Sequence, residues 1–290
     1  MAADPSPVRH AAPAKLNLYL HVLGRRADGY HLLDTLFAFC SIGDVVEASV
    51  DASLSLVIEG PFAAGLSAGD DNLVLRAARA LAPPGGGRGA RLRLIKNLPV
   101  AAGLGGGSAD AAATLRALVE LWDLRLDPRR LAEIAASLGA DVPACLLGRP
   151  AFAAGVGDEL AEAPPLPHCG VVLCNPGAPL RTPDVFARRV GGFSPSARFE
   201  SAPADAQDLA RLLRARRNDL TPGAVSLAAS IAGALHALER SPGCRVARMS
   251  GSGATCFALY DDAEAAARAA SALARAQPGW WVAATRFCDS

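Results

Sequence analysis

The stretch Pro99-Val-Ala-Ala-Gly-Leu-Gly-Gly-Gly-Ser-Ala-Asp-Ala-Ala112 places four glycines within five positions. Glycine weakens a helix or a strand, but it lets main-chain N–H groups approach a ligand closely. The Ala/Leu-rich segment Ala109–Trp122 that follows predicts a helix, with Ser108 as its N-cap and Asp110 in its first turn. A glycine loop that leads into a helix N-terminus favours anions, so the stretch predicts a phosphate site.

A second glycine run, Pro83–Gly89, serves as a comparison. It precedes the strand-like segment Arg91–Leu98 rather than a helix, and we interpret it as a plain loop. The first run is not a Walker A loop, because no Gly-Lys-Ser/Thr follows it. It is not a dinucleotide fingerprint either, because the third glycine would fall at Ser108.

Composition excludes several classes of protein. The 290 residues allow one large or two ordinary domains, and a net charge of +1 gives no general attraction to nucleic acid or anionic membranes. The segment Met1–Pro13 lacks the apolar region of a secretory signal, and no run of 18 apolar residues predicts a membrane span. Seven cysteines without a Cys-x-x-Cys pair argue against a disulfide framework and a zinc site. We therefore predict a cytoplasmic location.

Period-two alternation marks the first strand. Apolar residues from Leu16 to Val22 alternate with Lys15, Asn17, Tyr19 and His21, which predicts a half-buried strand. Lys15 and Asn17 should therefore project from the same face.

The remaining pattern predicts an α+β fold with strands and helices in both halves of the chain. Segments Val45–Val50 and Leu54–Ile58 suggest a hairpin, and Pro164–Pro167 suggests a linker. Residues 191–207 suggest a loop. Asp261 is expected to cap a helix that runs to about Ala276. Other predicted helices are Asn72–Leu81, Pro128–Leu138, Pro183–Val190, Ala206–Arg217 and Ala224–Glu239; other predicted strands are Val171–Asn175, Arg245–Met249, Thr255–Tyr260 and Trp280–Thr285.

Two motifs resemble those of the GHMP kinases, the family of galactokinase, homoserine kinase and mevalonate kinase. Pro99–Ala112 resembles the family's phosphate-binding motif, and Met249–Thr255 resembles its C-terminal glycine motif. The resemblance implies a two-domain fold: a strand-rich α/β domain over residues 10–163 and a ferredoxin-like α+β domain over residues 164–288. Without the family, Gly251-Ser-Gly253 would be interpreted equally well as a tight hairpin turn alone.

Further segments narrow the resemblance to one branch of that family. They occur in the order and at the spacing of the branch: Pro13–His21, Asp28–His31, Gly139–Pro143, Gly155–Gly157 and Asn218–Leu220. The branch phosphorylates the 2-hydroxyl of 4-diphosphocytidyl-2-C-methyl-D-erythritol with ATP, in the non-mevalonate route to isoprenoid precursors. The resemblance therefore implies ATP, with Mg²⁺ expected alongside it, and a small-molecule acceptor. Nucleic acid and membrane partners are not expected.

The resemblance also implies which residues act on the reacting atoms. Asp141 would be the base that accepts the hydroxyl proton, although an aspartate in a loop is otherwise best explained as a helix cap. Lys15 would neutralise charge near the acceptor hydroxyl and the transferred phosphoryl group, and Asn17 would help to orient them. On residue type alone, Lys15 would be a solvated charge.

Two nucleotide sites are implied. Tyr30 would stack on the cytidine, and His31 would hydrogen-bond to its edge; both could equally be residues of a core hairpin. The implied ATP contacts are Pro99, Gly103, Leu104, Gly105, Gly106, Gly107, Ser108 and Ala109, with Asn72 and Lys96 towards the adenosine. The implied acceptor contacts are Asn17, Tyr30, His31, Gly155, Val156, Gly157 and Thr182.

Some alternatives stay open at this point. An aspartate at position 110, beside a triphosphate, needs a metal ion or a side chain turned outward. The arginines at 211, 214, 216 and 217 favour a solvated helix face over a role near the substrate diphosphate. Rival functions are another GHMP-type kinase, a non-catalytic nucleotide-binding protein and an RNA-binding protein. The balanced charge and the lack of an aromatic-basic motif argue against the last.

Overall fold

The computed structural model describes residues 6–82 and 88–288. Runs of strands are followed by runs of helices in both halves of these residues, which confirms the α+β prediction. The chain divides into two compact units. The first unit takes the described residues within 1–14, 43–100 and 105–148, and the second takes those within 15–42, 101–104 and 149–290.

The elements have the following bounds in chain order. The strands are β1 Val8–Arg25, β2 His31–Asp51, β3 Leu54–Glu59, β4 Gly89–Ile95, β5 Ala151–Ala154, β6 Glu159–Glu162, β7 Gly170–Asn175, β8 Val246–Met249, β9 Cys256–Tyr260 and β10 Trp281–Arg286. The helices are α1 Leu73–Leu81, α2 Gly106–Leu121, α3 Pro128–Leu138, α4 Val142–Leu147, α5 Thr182–Ala187, α6 Ala206–Arg214, α7 Thr221–Leu227, α8 Ser230–Glu239 and α9 Ala263–Ala276.

In the first unit, β4 lies between β2 and β3. It pairs antiparallel with the segment Val45–Asp51 of β2 and parallel with β3. The predicted hairpin of Val45–Val50 with Leu54–Ile58 is therefore wrong. A parallel pair needs a crossover connection, and α1 lies in the connection between β3 and β4. Short apolar runs do not reveal which strand will separate two others.

Helix α2 packs against α1, α3 and α4 in the first unit. Its residues Ala109–Leu115 are all buried, because alanines allow neighbouring helices to approach closely. The second glycine run, predicted to be a plain loop, lies largely outside the described residues, at 83–87.

In the second unit, four antiparallel strands form a sheet in the order β10-β7-β9-β8. Helices α8 and α9 pack on it, and Leu20 and Val22 of β1 join its buried core. The predicted pairing of the strands on either side of Gly251-Ser-Gly253 is confirmed.

Some helix predictions in this unit are wrong in detail. The predicted helix Ala224–Glu239 is two helices, α7 and α8, because Ala228 takes an extended conformation between them. Helix α9 is capped by Asp262 rather than Asp261, since the Asp262 side chain accepts a hydrogen bond from the Ala265 N–H. Asp261 instead pairs with Arg245.

Strand β1 is buried on both faces between Ala14 and Val22. The prediction of a half-buried strand is therefore wrong, although the segment is a strand. The polar residues of its second face are buried because they have hydrogen-bond partners in other segments. The alternation within one strand cannot reveal those partners. Segment Thr35–Phe37 of β2 pairs antiparallel with β5, and β5 pairs with β6 in a hairpin.

Candidate functional site

The second half of the glycine loop forms the start of α2. Gly105 is the N-cap in a left-handed conformation, with φ of 64°, and the first helical hydrogen bond runs from the Ala109 N–H to the Gly105 carbonyl. Ser108 is therefore the third residue of the helix, and its prediction as N-cap is wrong. The N–H groups of Gly106, Gly107 and Ser108 precede that first bond, so they have the orientation that binds an anion.

The first half of the loop is held by three hydrogen bonds within the second unit. The Lys15 N–H donates to the Leu104 carbonyl over 2.8 Å, and the Thr255 N–H donates to the Ala102 carbonyl over 3.1 Å. The Ser250 hydroxyl donates to the Gly103 carbonyl over 2.9 Å. The strand that carries Lys15 and the C-terminal glycine turn therefore both fix this part of the loop.

Gly103 is a position that requires glycine. Its φ is 74°, and a Cβ there would lie 2.6 Å from the Ser250 carbonyl oxygen and 2.8 Å from that of Gly253. Both obstacles are backbone atoms, which cannot turn aside. The two glycine segments that the sequence analysis singled out therefore lie against each other.

Lys15 and Asn17 share one face of β1, as predicted. Both are buried, and the Lys15 Nζ donates to the Asn17 Oδ1 over 2.9 Å. The Asn17 Nδ2 donates to the Thr35 hydroxyl over 2.9 Å, and the Lys15 ammonium lies 4.5 Å from the centre of the Phe37 ring. Each partner restricts the rotamer of the next, so the ammonium is held in one position.

Asp141 directly precedes α4 in the first unit. Its main-chain carbonyl accepts from the Cys145 N–H, but its carboxylate makes no capping hydrogen bond to the helix. Asp127, before α3, shows the contrasting case, because its carboxylate accepts from the Arg129 N–H. The interpretation of Asp141 as an ordinary side-chain cap is therefore excluded.

A buried group of three charges lies under the start of α2. The Lys96 Nζ binds the Asp44 carboxylate and the Asp110 Oδ2, the latter over 2.8 Å, and all three side chains are at least 95% buried. A Cβ on Gly106 would lie 3.4 Å from the Lys96 Nζ. Asp44 also accepts from the N–H groups of Asn97 and Leu98, over 2.6 and 2.9 Å.

Two carboxylates share one ammonium in this group. Burial, together with the neighbouring Asp44, raises the pKa of Asp110 to about 7, although Lys96 opposes the shift. The two carboxylates in turn raise the pKa of Lys96 against its burial, so the lysine stays charged. The side chain of Asp110 is thus turned into the protein and towards Lys96, which the sequence alternatives did not include.

The other residues assigned to ATP are placed as follows. Asn72 caps α1: its Oδ1 accepts from the Val74 N–H, and its Nδ2 donates to the Ser67 carbonyl. Leu104 and Ala109 are buried, so they would offer main-chain atoms only. Pro99 directly follows Leu98, whose N–H binds Asp44. Contact of Asn72, Lys96 or Pro99 with ATP stays a prediction.

An aromatic pair marks the segment assigned to the cytidine. The His31 and Phe186 rings are stacked with centroids 4.9 Å apart, and Tyr30 beside them is 64% exposed. Burial and the nearby Arg25 and Arg189 lower the pKa of His31, so the imidazole is neutral near pH 7. A neutral imidazole offers one donor and one acceptor, as recognition of a base edge requires.

The turn Gly155–Gly157 lies next to the start of β2. The Gly155 carbonyl accepts from the Leu33 N–H over 2.8 Å, and the Val156 N–H donates to the Asp158 carboxylate over 3.1 Å. A side chain at Gly155 would meet Asp158, whereas one at Gly157 would meet open space. The structure therefore brings this turn to the strand that begins with His31.

Thr182 begins α5, the helix that also carries Phe186. Its hydroxyl is 2.9 Å from the Ser252 hydroxyl of the C-terminal glycine turn. The acceptor residues Asn17, Tyr30, His31, Gly155, Val156, Gly157 and Thr182 all belong to the second unit, as does Lys15. Asp141 and the start of α2 belong to the first unit.

The four arginines at 211–217 all contact protein groups. Arg211 pairs with Asp208, and Arg217 pairs with Asp219. Arg214 donates to the Arg245 carbonyl, and Arg216 lies over the rings of Tyr19 and Phe199. Arg216 therefore departs from the expected solvated helix face, and α6 ends at Arg214 rather than Arg217.

Sequence reasoning missed Phe186, Ser250 and Asp44 as residues of the site. Phe186 lies in a short helix without a motif, and Asp44 is a single aspartate within a long strand. Ser250 stood in a quoted motif, but its side chain was given no role. A position before a glycine turn was the only available signal.

Comparisons with known proteins identify the family of this chain. The family profile for the GHMP kinases N terminal domain matches residues 72–149, and the profile for the GHMP kinases C terminal matches residues 200–279. The chain belongs to the GHMP kinase family. It is an ATP-dependent small-molecule kinase with the two-domain α+β fold of that family, as the motifs predicted.

Relatives of this GHMP kinase match it over almost its full length. It is 52% identical over 274 residues to 4-diphosphocytidyl-2-C-methyl-D-erythritol kinase of Paramagnetospirillum magneticum, covering 94% of this chain and 95% of that protein. It is 51% identical over 287 residues to the kinase of the same name from Rhodospirillum rubrum, covering 99% and 94%. A crystal structure of 4-(cytidine 5'-diphospho)-2C-methyl-D-erythritol kinase superimposes with a TM-score of 0.79 at 37% identity, covering 97% of this chain and all of that one.

In this kinase, no helix of the described residues is both long enough and apolar enough to cross a membrane.

Proposed function

We propose that this kinase transfers the γ-phosphoryl group of ATP to the 2-hydroxyl of 4-diphosphocytidyl-2-C-methyl-D-erythritol, a step of the non-mevalonate route to isoprenoid precursors. The observation that carries the proposal is 51–52% identity, over nearly the whole chain, to relatives named for this acceptor. The exposed Tyr30 beside the stacked His31 and Phe186 supports a ligand with a planar base.

The glycine loop would bind the ATP phosphates. The N–H groups of Gly105–Ser108 lie at the start of α2, where the helix dipole favours negative charge. Gly103 and Leu104 would continue this cradle, and their backbone positions are already fixed by Ser250 and Lys15. ATP then needs little ordering of the loop when it binds.

Lys15 and Asp141 would act on the reacting atoms. Phosphoryl transfer depends on positioning and charge stabilisation, with a base for the hydroxyl proton. The buried ammonium of Lys15, oriented by Asn17, would neutralise charge that develops on the transferred group. Asp141 directly precedes α4, and its carboxylate would accept the hydroxyl proton.

Magnesium is proposed to accompany ATP. Among the described residues no group of three or more His, Cys, Asp and Glu side chains is arranged to hold a metal. Mg²⁺ commonly takes much of its coordination from substrate phosphates and water. We therefore assign it to the ATP phosphates and propose no protein ligand; its chemistry would be to neutralise phosphate charge.

The cytidine would lie against Tyr30, His31 and Phe186, with the turn Gly155–Gly157 and Thr182 beside it. We also propose that the family's two domains divide this chain at residues 163 and 164, since the two profiles match on either side of that point. A cytoplasmic location is proposed from the free thiols Cys40, Cys169, Cys174 and Cys256, which are all buried.

Coupled ADP release tests the acceptor. The diphosphocytidyl substrate, mevalonate and homoserine would be compared at equal concentrations, with the Lys15→Ala variant as the background. Turnover with the first acceptor alone supports the proposal. Turnover with mevalonate or homoserine in its place would keep the kinase activity and change the substrate.

A further inference from the structure

Ser250 joins two segments that are far apart in the sequence. The residue is completely buried, and its hydroxyl accepts from the Asn17 N–H over 3.1 Å while it donates to the Gly103 carbonyl over 2.9 Å. Its own N–H donates to the Thr255 carbonyl, and its carbonyl accepts from the Gly253 N–H. Every polar atom of Ser250 is therefore engaged, and its position is fixed.

The turn that contains Ser250 is itself held in place by the side chain of Asn218. The buried Asn218 Nδ2 donates to the carbonyls of Met249 and Gly251, both over 2.8 Å. The Asn218 Oδ1 accepts from the Leu220 N–H over 2.9 Å. The buried Asn218 side chain makes three hydrogen bonds and therefore has little conformational freedom, so it fixes the position of the turn.

The turn also fits closely against the face that carries Lys15. A Cβ on Gly251 would lie 3.3 Å from the Asn17 Oδ1 and 3.4 Å from the Gly103 carbonyl oxygen. The Asn17 Oδ1 is the atom that accepts from the Lys15 Nζ. A displacement of the turn would therefore reach the ammonium through a single intervening side chain.

We propose that Ser250 is a positioning residue for phosphoryl transfer. Its hydroxyl fixes the position of the glycine loop at Gly103 relative to the strand that carries Lys15 and Asn17. The proposal rests on the proposed roles of Lys15 and the glycine loop. Ser250 acts through the Gly103 carbonyl and the Asn17 main chain, without contact to either nucleotide.

A purely structural role makes a different prediction from a positioning role. Loss of the hydroxyl leaves the buried Asn17 N–H and the Gly103 carbonyl without this partner, which lowers stability in either case. Only the positioning role also misaligns the reacting groups. A misplacement of about 1 Å costs on the order of 10²-fold in rate, even when the residue does not touch the substrate.

The test compares Ser250→Ala with Ser241→Ala in the full-length protein. Ser241 is a matched control, because its hydroxyl donates to the Leu238 carbonyl and contacts the Tyr260 hydroxyl away from the glycine loop. We expect Ser250→Ala to lower kcat by about 10- to 100-fold, with the KM of the acceptor near its wild-type value. We expect Ser241→Ala to lose thermal stability and to keep kcat.

A double-mutant cycle with Asn17→Ala gives a readout that stability alone would not move. If Ser250 acts through Asn17, the loss of kcat from Ser250→Ala will be much smaller in the Asn17→Ala background than in the wild type. Fully additive losses, or a Ser250→Ala protein with wild-type kcat, would overturn the positioning role. A wild-type protein that does not phosphorylate the diphosphocytidyl acceptor would contradict the proposed function instead.

Gly251→Ala provides a second variant if Ser250→Ala does not fold. The added methyl group would press on the Asn17 Oδ1 and the Gly103 carbonyl while the Ser250 hydroxyl remains. We expect a lowered kcat here too, and an unchanged kcat in a folded Gly251→Ala protein would overturn the proposal.

Discussion

The Asp110 Oδ2 lies 2.8 Å from the Lys96 Nζ, one helical turn after the glycine at which α2 begins. Asp44 shares the same ammonium, so two buried carboxylates depend on one positive charge. The other carboxylate oxygen of Asp110, Oδ1, is buried without a hydrogen-bond partner. Ionisation of Asp110 is therefore costly in the folded protein.

Asp110→Asn should change how stability depends on pH. In the unfolded chain an aspartate titrates near its model value of 3.8, but in the folded protein its pKa is about 7. Between these values the folded state binds more protons, so the free energy of unfolding of the wild type falls as pH rises through this window. The asparagine variant lacks this loss of stability. The Tm of the variant minus the Tm of the wild type should therefore increase from pH 5 to pH 8.

Thermal unfolding at each pH measures the effect. Asp70→Asn is the control, since Asp70 is an exposed partner of Arg79. Parallel pH profiles for the wild type and Asp110→Asn would contradict a raised pKa at position 110.

Asp141→Asn should lower kcat by roughly 10²–10⁴-fold, the usual contribution of a positioned base. Thermal unfolding of the same variant checks that the fold is retained. Asp127→Ala is the control variant, because Asp127 caps α3 with its side chain. Its loss should lower stability by about 1 kcal/mol and leave turnover unchanged. Near-normal turnover of Asp141→Asn would remove this residue from the chemistry.

Lys15→Ala should abolish most turnover, and Lys15→Arg should restore little of it. The ammonium occupies a buried position beside the Asn17 Oδ1, where a larger, forked guanidinium does not fit the same contacts. Steady-state kinetics, with circular dichroism to confirm folding, tests this. Arg268→Ala, on the exposed side of α9, should behave as the wild type; an active Lys15→Ala enzyme would make the lysine structural.

Gly107→Val should weaken ATP binding without disturbing the fold. A Cβ at Gly107 would contact only the Leu73 side chain, at 3.5 Å, so we expect the fold to accommodate it. The added side chain would instead exclude the phosphate from the loop. Gly106→Val should combine the same exclusion with pressure on the Lys96 Nζ. Calorimetry with a non-hydrolysable ATP analogue measures both, and Gly233→Val is the control because open space surrounds Gly233. Unchanged affinity in Gly107→Val would count against the loop.

Tyr30→Ala should raise the KM of the acceptor and leave that of ATP nearly unchanged, since stacking on a base contributes on the order of 1–3 kcal/mol. Tyr30→Phe keeps the ring and should stay near the wild-type value. CDP should compete with the acceptor rather than with ATP. Competition with ATP alone, or an unchanged acceptor KM, would refute the cytidine assignment.

Local signals predicted much of the fold correctly. The bounds of α3 are those predicted, because Asp127 and Pro128 are strong start signals and Gly139 follows the last residue. The order of β3 and β4 was not predictable, because it depends on which strands meet in space. Ser108 failed as an N-cap because Gly105, with its left-handed backbone, starts the helix earlier than side-chain preference indicates.

The candidate site shows the same division. The face shared by Lys15 and Asn17 follows from the two-residue period of a strand, and the glycines correctly indicated a loop that leads into a helix. The partners of Lys96 did not follow, since Asp44 is 52 residues away and carries no motif. The contact between Gly103 and Ser250 spans 147 residues and exists only in the folded chain.

The anchoring of Gly103 by Ser250 has a consequence for the order in which this enzyme is made. The ribosome synthesises the glycine loop well before it synthesises residues 250–255. Contacts between segments so far apart in sequence form slowly, because closing the intervening chain costs conformational entropy. Until then the Ala102 and Gly103 carbonyls lack the partners that hold them. The loop proposed to bind phosphate therefore gains these anchors only after residues 250–255 have been added, and a product that ends before Ser250 would lack them.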